Sequence, residues 1–167
     1  MIINHIKIDY YKDKLNYPLD NSKISYQEKE YFIIQIHSES YIGIGEASPL
    51  IFFSKETIND IKWAFESLKG AISFNSSFDV DELIDMFALF CDSVPSLNFA
   101  LDTAVYDIAS QMKNIPLGKL FSSNCADQIR LSSIFNSSKL NSTVKMKVGL
   151  NLNTEIENIK FISKNNN

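Results

Sequence analysis

Cysteine is nearly absent from this 167-residue chain: Cys91 and Cys125 are the two, far apart. Such a pair forms neither a disulfide framework nor a zinc-ligand spacing. Cys91 lies in "MFALFCDSV" and reads as a buried thiol. Histidine is as scarce. His5 and His37 stand singly in strand-like stretches, with no Cys or His at ligand spacing, so structural or surface roles are expected. Glycine is sparse, and "GIGEASP" holds a G-x-G with no third glycine and no helix directly after it. That excludes a dinucleotide-binding fingerprint. The stretch reads instead as a strand with small residues where another backbone comes close. No apolar run approaches the ~18 residues of a membrane helix. "MIINHIKIDYY" is broken by polar residues and lacks a signal-peptide core. The net charge of −4 argues against nucleic acid or an anionic membrane as the main partner. A reducing cytoplasm is the expected compartment.

What is present is a globular pattern, with 45% hydrophobic and 22% charged residues. "IINHIKIDYY" alternates, with Ile2, Ile6, Ile8 and Tyr10 on one face. "YPLDNSKISYQEK" reads as a polar loop. "EYFIIQIHS" and "YIGIGEA" give two further strands, and short links make the three an antiparallel meander. The period then changes. "SKETINDIKWAFESLKG" is a helix with Ser54 as the expected N-cap, Glu56 near its positive end and a stripe of Ile58, Ile61, Phe65 and Leu68. Gly70 stands where a C-terminal glycine belongs. "DVDELIDMFALF" opens with the capping-box pair Asp79 and Glu82. "SLNFALDTAVYDIASQMKN" is a third helix, with an apolar side from Leu97 to Met112 and Pro116 past its end. Asp102 and Asp107 on it are read as solvated or capping charges, and Trp63 as a packing residue.

After "PLGKLFSSNCADQ" the order changes again. "IRLSSIF" and "VKMKV" are candidate strands and "NTEIENIKFI" begins a helix. Strand, connection, strand, helix is the start of a parallel β/α arrangement. A full eight-fold barrel takes about 250 residues, and two strands close nothing. The connection "NSSKLNST" is also too short for a full helix. In "VKMKVG", period 2 puts Lys145 and Lys147 on one face and Val144, Met146 and Val148 on the other. Two alternating lysines usually mark a solvated face. A parallel strand, however, is normally covered on both faces. Inward charges there are costly unless they face an open site. A like charge held close disfavours the ammonium form, and a lysine tuned that way serves as a general base near neutral pH.

Three stretches together resemble the enolase superfamily. "GIGEASPLIFFSKET" is similar to the third strand and following loop of that family's N-terminal capping domain. "PSLNFALDTAVYDIASQMKNIPL" resembles the helix that leads into the barrel, and "VKMKVG" the K-x-K strand of the muconate-lactonising-enzyme subgroup. The resemblance implies an α+β capping domain, a three-stranded antiparallel meander plus helices, over residues 1–120. The first strands of an incomplete (β/α) TIM-type barrel follow over residues 121–167. Within the superfamily, "PL-x-x-FS-x-ET" followed by "PS-x-x-F" is most similar to o-succinylbenzoate synthases, carbon–oxygen lyases of menaquinone biosynthesis. "ALDTAVYD" leans toward L-Ala-D/L-Glu-type dipeptide epimerases.

The family's chemistry removes the proton α to a carboxylate of a small-molecule substrate, with Mg²⁺ stabilising the enediolate. By resemblance Lys147 is the acid/base, and Lys145 positions the carboxylate and tunes Lys147. Loops around residues 18–25 and 48–54 close over the substrate, with Phe52, Phe53 and Ser54 as candidate lining residues. The family's metal carboxylates lie on later strands, so no metal ligand is expected in this chain; Glu155 and Glu157 fall at the start of a helix. The sequence is therefore expected to be truncated early in the barrel and inactive by itself. A non-catalytic cap-only remnant is the contrasting expectation.

Overall fold

The computed structural model describes residues 1–20, 24–135, 143–149 and 151–165. The chain falls into two compact units, Met1–Ser123 and Asn124–Asn167. Among the described residues the first holds three strands and four helices: β1 (His5–Asp20), β2 (Ser25–Ser38), β3 (Tyr41–Ala47), α1 (Ile58–Ala71), α2 (Val80–Cys91), α3 (Pro95–Lys113) and the short α4 (Leu117–Phe121). The second holds β4 (Ser133–Ile134), β5 (Val144–Lys145) and α5 (Leu152–Asn165).

The strands form an antiparallel sheet in the order β1-β2-β3. Its register sets Ile6 beside Ile36, and Ile36 beside Gly43. Ile34 likewise lies between Ile8 and Gly45. Alternation thus gives one apolar face, where Phe32, Ile34, Ile36 and Ala47 are buried. Helix α3 lies on that face, and the two glycines explain how closely. A Cβ on Gly45 or Gly43 would overlap the main-chain oxygens of Ala100 and Ala104. Backbone therefore packs on backbone, as the small residues of "GIGEA" led us to expect.

The free edge of β3 is also occupied. The Asp107 carboxylate accepts the Ile44 N–H at 3.1 Å, and the Gln111 side-chain amide donates to the Ile42 carbonyl at 2.8 Å. Asp107 is therefore an edge-strand partner rather than a solvated charge. Two side chains one helical turn apart stand in for a neighbouring strand.

The helices close the core through Ile61, Phe65, Leu68, Leu83, Phe87, Leu97, Leu101 and Ile108. Glu82 accepts the Asp79 N–H at 2.9 Å, as its capping-box spacing predicts.

Several local expectations are corrected. The N-cap of α1 is Thr57, boxed with Asp60, because Ser54 is used inside its own loop. Gly70 is still helical, and the chain leaves α1 at Ile72 in extended backbone. Ile3 rather than Ile2 is fully buried. It precedes β1, where its carbonyl accepts the Asn75 N–H, so strand phase does not govern it. Met112 and Trp63 are exposed, at the end of α3 and on the outer side of α1. The polar stretch around Pro18 is not a loop: β1 runs to Asp20 and β2 starts at Ser25, with a register shift between Lys14 and Leu19 that absorbs the irregularity. Residues 21–23 lie outside the described residues.

In the second unit β4 and β5 pair in parallel, Ser133 with Val144 and Ile134 with Lys145. Both expected strands are reduced to these two-residue pairings. The "NSSKLNST" connection lies largely outside the described residues.

Candidate functional site

In the first unit the candidate lining residues sit on the turn after β3. Leu50 organises it: its carbonyl accepts the N–H of Phe53 at 3.0 Å and of Ser54 at 2.8 Å, and its own N–H donates to Ser54 Oγ at 3.0 Å. Phe52 adopts a left-handed backbone, φ 63°, uncommon for a bulky residue. That conformation turns the Phe52 and Phe53 rings outward, 85% and 77% exposed. Tyr26 fastens the turn from the opposite side, donating its hydroxyl to the Ile51 carbonyl at 2.6 Å.

Between this turn and the β1–β2 hairpin runs a groove of about 500 Å³. Phe52 and Ser54 line it together with Tyr26, Lys12, Glu28 and Glu30, whereas Phe53 is not among its lining residues. Lys12 pairs with Glu28 at 2.8 Å and Glu30 at 3.2 Å. Its ammonium is held above the ordinary lysine range, first by hydrogen bonding to Glu28 and Glu30. The Glu28 carboxyl is lowered, first by its hydrogen bond with Lys12. The groove thus sets Glu28, Glu30 and Glu56 against Lys12 and Lys29, beside the Tyr26 ring. Sequence reading missed Tyr26, Lys12 and Glu28, because their convergence depends on hairpin register.

Glu56 locks the far end of the turn. It is 8% exposed and accepts the Ser96 N–H in the first turn of α3 at 3.0 Å. Burial pushes its carboxyl up, but hydrogen bonding from Ser96 and from main-chain amides outweighs this and leaves it lowered. The sequence placed this charge at the start of α1; the fold uses it at the start of α3, where a carboxylate suits the exposed amides.

Other singled-out groups have structural settings. His5 and His37 face each other across β1 and β2, stacked at 3.8 Å. Burial and then the nearby His5 push His37 down. Outside that set, Glu46 at the end of β3 pairs with Lys29 at the surface. Asp102 is partly buried rather than solvated; burial raises its carboxyl, and the Asn98 amide donates to it at 3.1 Å. Cys91 is buried and its thiol is pushed up to about 12, first by burial and then by Asp102, so it is not a reactive thiol.

In the second unit Lys145 ends β5, and Lys147 lies two residues beyond the last strand pairing. Both lysines are exposed while Val144 and Met146 are half-buried, so the alternation extends past the strand. It stops at Val148, which is exposed. Beyond it, Glu155 accepts the Gly149 N–H and the Asn151 N–H.

No group of three or more His, Cys, Asp or Glu able to hold a metal occurs among the described residues. Glu155, the buried carboxylate nearest in sequence to the lysines, is taken up by main-chain amides. This donor set does not fit a divalent cation. No helix of the described residues is long and apolar enough to cross a membrane.

No family model matches the chain. Its fold, however, superposes on solved enzymes. The L-Ala-D/L-Glu epimerase of Bacillus subtilis matches with a TM-score of 0.82 at 22% identity, over 100% of this chain and 51% of that one. The N-succinyl Arg/Lys racemase of Bacillus cereus matches with a TM-score of 0.80 at 20% identity, over 98% and 49%. The fold shared with these chains is a three-stranded antiparallel sheet with helices packed on it, followed by a parallel strand pair and a helix. A curated protein, the hydrophobic dipeptide epimerase of Enterococcus faecalis, is 26% identical over 144 residues, 78% of this chain and 41% of that protein. The chain thus spans less than half the length of this curated relative and about half of each solved one. These similar proteins are epimerases and racemases rather than lyases.

Proposed function

We propose that the chain provides the capping and acid/base part of an enolase-superfamily enzyme that abstracts the proton α to a carboxylate, acting as a dipeptide epimerase in the cytoplasm. Residues 1–120 are the cap and residues 121–167 the start of the barrel. Lys147 is the acid/base on one face of the α-carbon and takes the α-proton there; inversion needs a proton delivered from the opposite face, by a second acid/base that the resemblance puts on a later barrel strand. Lys145 positions the carboxylate. Phe52, Phe53 and Ser54, on the turn held by Tyr26, contact the distal part of the substrate and exclude water.

The observation that carries this reading is the pair of exposed, alternating lysines leaving a parallel strand, in a chain whose first unit has the superfamily's capping fold. Similarity to dipeptide epimerases supports an epimerase substrate over the synthase reaction suggested by "PL-x-x-FS-x-ET". The solved dipeptide epimerase of Enterococcus faecalis, whose fold this chain also matches, was crystallised with Mg and L-Leu-L-Tyr. The described residues here offer no set for such a metal, so no step is assigned to it.

The test is a chimera joining these 167 residues to the second half of the Bacillus subtilis epimerase. Incubated with L-Leu-L-Tyr or L-Ala-L-Glu and Mg²⁺ in D₂O, it is expected to exchange the α-proton, read by NMR. Lys147→Ala is expected to reduce exchange by about 10²–10⁴-fold, the usual worth of a positioned general base. The 167-residue chain by itself is expected to show no turnover. A folded chimera whose exchange survives Lys147→Ala sinks the acid/base assignment. Dehydration of the cyclohexadiene carboxylate without dipeptide exchange restores the synthase reading, and neither reaction leaves the non-catalytic one.

A further inference from the structure

Glu155 stands out among the carboxylates of the second unit. It is 8% exposed, although it begins a helix whose other side chains are largely in solvent. Both its oxygens accept the Gly149 N–H, at 3.0 and 2.9 Å, and one also accepts the Asn151 N–H at 2.9 Å. Asn151 also holds the start of α5. Its side-chain oxygen accepts the Thr154 N–H at 3.3 Å, and its carbonyl accepts the Glu155 N–H at 2.9 Å. Gly149 has φ 109°, while a Cβ there would meet nothing within 4 Å. The backbone path, not space, therefore asks for glycine.

The result is a closed loop of hydrogen bonds from the end of the lysine segment into the first turn of α5. Lys147 sits two residues before the clamped Gly149 and two after Lys145, the last residue paired to β4. Its backbone is held from both sides, by the strand pairing and by Glu155. A misplacement of about 1 Å in a reacting group can cost about a hundredfold in rate, so an acid/base on irregular backbone needs such a hold.

We propose that Glu155 is the positioning residue of Lys147: by fixing Gly149, its carboxylate sets the backbone path that carries the acid/base. The inference rests on the role given to Lys147 above, but its test needs no turnover. The 167-residue chain is reductively methylated with formaldehyde and cyanoborohydride, and labelling of Lys147 relative to Lys145 is read by mass spectrometry. Glu155→Ala is expected to change that ratio more than about twofold, Glu155→Gln less, since its carbonyl still accepts one amide, and the exposed Glu157→Ala not at all. General destabilisation moves both lysines together and leaves the ratio alone.

An unchanged ratio in Glu155→Ala, with α5 still formed, overturns the proposal. If that variant loses α5, the wild-type chain decides. The Gly149 and Asn151 amide resonances should shift together with a single carboxylate titration, and amides that do not titrate overturn it. Exchange by the chimera is a separate readout, so failure of the epimerase reading and failure of this one are distinguishable.

Discussion

Met1–Ser123 and Asn124–Asn167 are held together by different forces. In the first unit α1, α2 and α3 bury Phe65, Phe87, Leu97 and Leu101 against Ile34 and Ile36 of the sheet, forming one continuous apolar cluster. In the second, the described residues bury no apolar side chain; the buried positions are Ser133 and Glu155, both polar. Ile129, Leu131, Ile134, Val148 and Phe161 there are all more than half exposed. Acidic side chains outnumber basic ones in the first unit, and the reverse holds in the second. Apolar burial is the dominant stabilising term in folding. The first unit therefore has its own thermodynamic support, while the second relies on main-chain pairing and the Glu155 clamp.

The sharpest way to break that contrast is a matched pair of truncations. Phe87 is fully buried between α2 and the core, and Phe87→Ala is expected to cost about 3–5 kcal/mol in urea unfolding. Phe161, 58% exposed on α5, leaves little cavity when shortened, so Phe161→Ala is expected to stay within about 0.5 kcal/mol. Comparable losses would mean that the second unit has a core of its own.

A pair of glycines sharpens the contrast within the first unit. Gly45→Ala puts a Cβ against the rigid backbone of α3, with an expected cost of about 1–3 kcal/mol. Gly70 has nothing within 4 Å of the added atom and is still helical, so Gly70→Ala should gain up to about 0.5–1 kcal/mol. If both variants lose stability alike, close backbone packing is not what Gly45 provides.

Much of this first unit was legible because its signals are periodic and local. Period 2 placed Phe32, Ile34 and Ile36, and period 3.6 placed Ile61, Phe65 and Leu68. What failed were residues whose partners are distant in sequence. Glu56 reads as an α1 charge because Ser96 is 40 residues away. Asp107 reads as solvated because nothing in its own helix announces the β3 edge. Tyr26 and Lys12 meet the 48–54 turn through hairpin register. In the second unit two lysines at alternate positions predicted a strand, but two residues of pairing are what forms. There the sequence pattern had no packed face to enforce it.

Glu56 offers a smaller effect with a definite pH signature. Its carboxylate sits among amides at the start of α3, and hydrogen bonds to charged groups contribute about 1.5–3 kcal/mol. Glu56→Gln is expected to cost toward the lower end of that range at pH 7, since the amide still accepts one bond. The carboxyl is lowered in the folded chain, so the unfolded chain binds its proton first as pH falls. The stabilisation is complete above the ordinary glutamate range near 4.5 and is lost as pH drops through the lower folded value. The difference in unfolding free energy between wild type and Glu56→Gln should therefore hold steady from pH 7 to about 5 and narrow below the ordinary glutamate value. A difference that persists unchanged at pH 3 would assign the contribution to shape rather than charge. The 48–54 turn would then be tied to α3 by packing alone.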